Sequence, residues 1–256
     1  FFLASRNHHF ANTAADLDNN GKKLSMQTAL ASDDKLIWLT KHGEEITRLF
    51  DSDTIKLIQR HKVPKDKTVA YYNPQVRTKI KEGLTEYRVR GTIGGDRIQY
   101  DGDTAAHTAS MQHIKLLLNA VVSDTGAKFM TADIKDFYLG TPLPNTEYMR
   151  INLNHIPEDV IQKHNMREFE HHGAVTVEIH KGIYGLPQAG KLAQDRLVQH
   201  LAKHGYHQAK HTPCLFKHEK NTVTFTLVVD DFGIKYTKAA DADHLMRWAY
   251  YGSYTS

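Results

Sequence analysis

Hydrophobic and polar positions follow two different periods along this chain, and each period marks the elements it predicts. Between Lys35 and Phe50, the residues Leu36, Ile37, Leu39, Ile46, Leu49 and Phe50 recur at helical spacing. From His113 to Val122, Ile114, Leu117, Leu118 and Val121 fall on one face of a second helix. Lys191 to His204 is amphipathic through Leu192, Leu197 and Leu201, with Gly205 as its stop signal, and Ala239 to Tyr251 reads as a last helix. Val76 to Lys81 and Tyr87 to Ile93 instead alternate about Glu82-Gly83, which predicts a β-hairpin. Lys128–Ile134, Val175–His180, Thr222–Val229 and Phe232–Tyr236 are short runs fit for strands, with Gly140 and Pro142 breaking the chain after the first. Residues 1–34 are polar and weakly periodic, a loosely ordered lead-in. The pattern predicts a mixed α and β protein with hairpins, not a regular βαβ series.

Composition narrows this picture by exclusion. With 40% hydrophobic and 24% charged residues, the 256-residue chain is too apolar for wholesale disorder. It has no apolar run near the 18 residues a membrane-crossing helix needs, so no membrane partner is expected. Its single cysteine, Cys214, cannot close an intrachain disulfide. The start at Phe1 without an initiator Met, and the end just after a helical segment, lead us to expect a piece of a longer polypeptide. A net charge of +4 is mild, but it is unevenly spread. Residues 56–100 carry 11 Lys and Arg against 4 Asp and Glu. Basic side chains on a hairpin suit a polyphosphate or nucleic-acid backbone, although a solvated face has the same composition. Seventeen histidines are unusual and fit no motif.

Carboxylates supply the candidate chemistry. Asp230-Asp231 lies between the apolar run ending at Val229 and Phe232, and Asp133 ends the run Phe129-Met130-Thr131-Ala132. Adjacent carboxylates in apolar surroundings repel each other and resist burial unless a cation neutralises them. Three of them from two strand ends could hold a pair of hard divalent ions, with Mg²⁺ the natural choice for oxygen ligands and phosphate. Two such ions about 3.5–4 Å apart stabilise both oxygens of an in-line phosphoryl displacement. The bland reading is a polar turn, because Asp favours turns. Other metal-like spacings are weaker. Asp16-x-Asp18-x-Asn20-Gly21 starts like an EF-hand loop but has Gln27 where the bidentate Glu belongs. His204, His207, His211 and Cys214 read as a solvated turn and not as a zinc site, and His200 with His204 lacks the metalloprotease Glu.

Three segments carry a resemblance. Asp133-Ile-Lys-Asp-Phe-Tyr138-Leu-Gly140 resembles motif A of the reverse transcriptases of copia-type LTR retrotransposons. Gly182-Ile-Tyr-Gly-Leu-Pro-Gln188-Ala resembles motif B. Leu227-Val-Val-Asp230-Asp231 resembles motif C, with Val228 where an aromatic is usual. The three occur in the family's order, with Asp230 97 positions after Asp133, and the resemblance covers about residues 35–250.

The resemblance implies an α+β right-hand polymerase fold with fingers and palm and with the thumb largely absent. The reverse-transcriptase domain would be 35–256, with fingers at about 56–125 and 145–190 and palm at about 125–145 and 190–250. It implies an RNA-directed DNA polymerase, a nucleotidyltransferase working on RNA or DNA template with primer and on dNTPs. Asp133, Asp230 and Asp231, with the backbone carbonyl of Ile134, would hold two Mg²⁺, with Mn²⁺ a substitute. Tyr138 would be the steric gate beneath the deoxyribose, and Gln188 would lie under the same sugar. Lys81, Arg88 and Arg90 would neutralise the triphosphate. Family partners would be protease, integrase and RNase H domains of one polyprotein, within cytoplasmic virus-like particles and the nucleus. The alternative is a catalytically inactive retrotransposon remnant that only binds nucleic acid.

Overall fold

In the computed structural model, residues 24–251 are described. The first 23 residues of the expected lead-in, including the EF-hand-like Asp16-x-Asp18-x-Asn20-Gly21, lie outside them. The chain is mixed α and β and divides into two compact units, one from 24–99 and 144–187, the other from 100–143 and 188–251. No helix among the described residues is long and apolar enough to cross a membrane.

In the first unit, helix α1 (Met26–Leu30) occupies part of the expected loose lead-in. It is nucleated by a capping box, in which the Ser25 hydroxyl accepts from the Thr28 N–H and the Thr28 hydroxyl accepts from the Ser25 N–H. Met26 and Ala29 are buried in a small core with Trp38, Val76 and Val89, so tertiary packing orders what weak periodicity left undecided. Helix α2 (Lys35–Asp51) turns Trp38, His42, Glu45, Ile46 and Leu49 inward, whereas Leu36, counted in the apolar pattern, is 76% exposed.

A five-stranded sheet follows the order β1-β6-β5-β2-β3, made of β1 (Ile55–Ile58), β2 (Val69–Lys81), β3 (Leu84–Ile93), β5 (Pro142–Asn152) and β6 (Ala174–Lys181). β2 and β3 form the expected hairpin, antiparallel from Tyr72↔Ile93 to Lys81↔Leu84. Its two-residue turn has φ +53° at Glu82 and +79° at Gly83, and positive φ at both positions is what matches the twist of the flanking strands. The buried Glu45 carboxylate clamps α2 to β3 by accepting the Gly91 N–H at 2.7 Å while paired with Arg48. A Cβ at position 91 would lie 2.8 Å from the Tyr72 ring, so only glycine allows this approach. Pro142 starts β5 and does not simply break the chain. Proline is tolerated at a first strand position, and β5 pairs with β2 only from Tyr148 onward. Short helix α4 (Glu158–Lys163) completes the unit.

The second unit has an antiparallel sheet in the order β4-β10-β9-β8-β7. Its strands are β4 (Lys128–Asp133), β7 (Tyr206–Ala209), β8 (Thr212–His218), β9 (Thr224–Val228) and β10 (Asp231–Tyr236). Helices α3 (Met111–Ser123), α5 (Ala189–Lys203) and α6 (Ala239–Tyr251) accompany it. α3 makes its sheet contacts with β4, β9 and β10, so residues 100–125 belong with this sheet and not with the basic hairpin. The core is aromatic. Phe216 and Phe225 stack at 4.8 Å, and Phe232 lies 5.3 Å from Phe225. The expected solvated turn around His204–Cys214 is instead the β7–β8 hairpin, because Tyr206, Cys214, Leu215 and Phe216 are buried against this core.

Candidate metal centre

Two strand ends and one turn build the site in the second unit. β10 pairs antiparallel with β4, placing Asp231 directly opposite Asp133, and with β9, placing Asp231 opposite Val228. That register leaves a two-residue turn, Val229-Asp230. The Ile134 N–H donates to the Asp230 carbonyl at 3.1 Å, tying the turn to the end of β4. Buried Phe225, Leu227, Phe232 and Ile234 fix both arms of the hairpin in the core, so the carboxylates must stand at its tip.

One ligand oxygen from each of Asp133, Asp230 and Asp231 lies within 4.8 Å of the others. Among the described residues these are the His, Cys, Asp and Glu side chains that converge in such a group of three. Asp133 and Asp231 are exposed and Asp230 is half-buried. Three like charges this close repel one another, and a divalent cation would turn that repulsion into coordination. The donor set is all carboxylate oxygen and open to solvent, which suits a hard ion that keeps several of its waters. The turn itself is strained: Val229 has φ +61°, costly for a β-branched residue.

The remaining candidates of this unit lie close in sequence to the triad or at the start of a helix. Ile134 is buried directly after Asp133. Tyr138 is half-buried in the turns that follow, against the aromatic core, with its ring 5.6 Å from that of Phe137. Gln188 occupies the N-cap position of α5 without capping it through its side chain and is 2% exposed. Among the described residues, His204, His207, His211 and Cys214 are not brought together into a group of three potential ligands. The Cys214 Sγ donates to the His107 carbonyl, and His207 pairs with Glu219 at 2.8 Å.

In the first unit, the hairpin register sorts the basic side chains. Arg77 faces Arg88, Gln75 faces Arg90, Lys79 faces Glu86 and Lys81 faces Leu84. Residues paired across strands project to the same side, so Arg77, Lys79, Lys81, Arg88 and Arg90 share one face with Glu86 as its acid. Arg77 and Lys79 were not among the sequence candidates, although alternation from Lys81 points to them. Arg90 differs from the exposed Lys81 and Arg88: it is half-buried, with its guanidinium 4.8 Å from the centre of the Tyr184 ring. The facing Arg77 and Arg88 repel, so this face favours an anion.

No protein-family model matches the chain, and no curated protein matches it.

Proposed function

We propose that this chain is the polymerase portion of a copia-type reverse transcriptase, with a right-hand polymerase fold, and that it extends a primer on an RNA or DNA template by nucleotidyl transfer. The observation that carries the reading is the convergence of Asp133, Asp230 and Asp231 from positions 97 residues apart. Those are the aspartates that the motif resemblance selects.

Asp133, Asp230 and Asp231 would hold two Mg²⁺ ions, the Ile134 carbonyl adding a ligand. When bound, the ions lower the charge cost of the primer hydroxyl's attack on the α-phosphate and of pyrophosphate departure. The protein's own contribution is positioning and charge. The paired strands hold the carboxylates in place before any ion arrives, so little reorganisation is required. Lys81 and Arg88 offer a point charge and a bidentate fork to phosphate oxygens, and Tyr184 steadies the Arg90 guanidinium. Tyr138 excludes a 2′-hydroxyl by bulk and Gln188 lies under the sugar, so Tyr138→Ala would admit ribonucleotides.

The test is primer extension with Mg²⁺ by the chain and by its Asp230→Asn/Asp231→Asn variant, alongside Mn²⁺-induced broadening of the aspartate NMR signals. Extension is expected to fall by roughly 10²–10³-fold or more in the variant, and the broadening to vanish. Equal extension in both would reject a catalytic role, and retained oligonucleotide binding would then leave the remnant reading.

A further inference from the structure

Four of the seventeen histidines gather around Tyr206 and Trp248 in the second unit, where α5, the β7–β8 hairpin and α6 meet. The His204 ring stacks on Trp248 with centroids 3.5 Å apart and planes 11° from parallel. His200 donates from Nε2 to the Trp248 carbonyl at 3.1 Å. His218 meets Tyr206 edge-on at 4.6 Å and lies 5.5 Å from His244. Gly205 leaves room for this packing, since a Cβ there would sit 2.9 Å from His218 Nε2.

The hydrogen bonds fix the protonation of two rings. Trp248 donates its indole N–H to His244 Nε2 at 3.3 Å, and an indole can only donate. Nε2 therefore carries no proton, and the ring's one proton is on Nδ1, donated to the Tyr206 oxygen at 2.9 Å. His218 is the opposite tautomer. Its Nδ1 accepts the backbone N–H groups of Lys220 and Asn221 at 3.0 and 2.9 Å, and its Nε2 donates to the His204 carbonyl at 3.1 Å. A second proton on either ring would point at an N–H group and break the hydrogen bond that this N–H makes.

We propose that His244 is an acid-sensitive latch: through Tyr206 and Trp248 it holds α6 against the β7–β8 hairpin, and it frees the Trp248 end of α6 when it takes up a second proton. The latch does not depend on the function proposed above, but α6 also packs on β10, the strand that begins with Asp231.

The surrounding charges set the direction. Burial is the largest influence on His244 and holds it below the ordinary histidine value of 6.5, helped by His218 and Arg247 and opposed by Asp241. His204 is held below it in the same way by burial, then by His200, His244 and Lys203. Asp241 is itself engaged by the Thr222 N–H and hydroxyl and faces Lys238, while Glu219 is turned to His207. Tyr206, pushed up to about 12 chiefly by burial, stays protonated throughout. With the folded values of His204 and His244 depressed, the unfolded state takes up protons first. The latch is therefore complete above pH 6.5 and is lost as pH falls below it.

Trp38→Phe leaves Trp248 as the only tryptophan. Titrated from pH 8 to pH 5, its emission is expected to shift to the red reversibly, with a midpoint below pH 6.5. Adding His244→Gln, which keeps a polar group that cannot ionise, should flatten the titration, and His207→Gln should leave it. A flat parent, or a His244→Gln variant that titrates like the parent, overturns the latch. Should the variant not fold, long-range ¹H–¹⁵N spectra of the parent at pH 8 decide the matter. Nδ1–H on His244 with a bare Nε2 supports it, and a charged ring or the reverse tautomer there overturns it.

Discussion

The β2–β3 and β9–β10 hairpins both turn in two residues, yet opposite forces make them turn. At Glu82-Gly83 the turn is exposed, and a Cβ at Gly83 would meet nothing within 4 Å. Its conformation is local, written in a residue that accepts positive φ. At Val229-Asp230 the turn uses a valine that disfavours φ +61°, and the aromatic core on both arms imposes it. A locally encoded turn carries a basic face that needs no fixed position. A turn imposed by the core carries carboxylates whose positions are held against their own repulsion.

The sharpest way to break this contrast is to weaken the core under the second turn. Phe225 is fully buried, stacked on Phe216 and close to Phe232. Phe225→Ala should cost about 3–5 kcal/mol, read by urea denaturation through Trp248 in a Trp38→Phe background. It should also abolish Mn²⁺ broadening at Asp133, Asp230 and Asp231. A loss below about 1 kcal/mol, outside the usual range for such a truncation, would mean that the turn holds itself.

A smaller effect is expected at the first turn. Gly83→Ala introduces no clash, so its cost is the left-handed backbone penalty alone, about 1–2 kcal/mol. Trp38, edge-on to Tyr87 of β3 at 4.9 Å, reports it in a Trp248→Phe background. An unchanged denaturation midpoint would show that strand pairing, and not Gly83, sets the turn.

The same contrast explains what could be read from the amino-acid order. Glu82-Gly83 between alternating strands was legible because the cause is local, as were α2, α3, α5 and α6 with their helical periods. The neighbours Asp230-Asp231 were legible as a chemical oddity and through the motifs around them. That Asp133 would stand opposite Asp231 depends on strand pairing across 97 residues, which no local pattern states. β7 and β8 were missed because His207, Gln208, Lys217 and His218 break up their apolar pattern. Burial of Tyr206, Leu215 and Phe216 on a distant core decides their structure. α1 was missed because its helix of five residues depends on Trp38, Val76 and Val89 for stability. The sharing of one face by five basic residues was implicit in the alternation, but it needed the register to become definite.

The smallest effect on stability gives the finest test of the basic hairpin. Arg77 and Arg88 face each other across the strands, a like-charge pair, and both are exposed. Arg88→Glu turns it into an opposite-charge pair and should stabilise the hairpin by about 0.2–1 kcal/mol, less at high salt. If the shared face binds a nucleic-acid or nucleotide phosphate, the same change must weaken that binding and flatten its salt dependence, because phosphate contacts scale with the cations that make them. Stability and binding should therefore move in opposite directions. Denaturation and oligonucleotide titrations at two salt concentrations measure both. A variant that is stabilised and binds as before would reduce the five bases to a solvated face. One that loses both would show that Arg88 holds the hairpin by contacts that the facing charges do not explain.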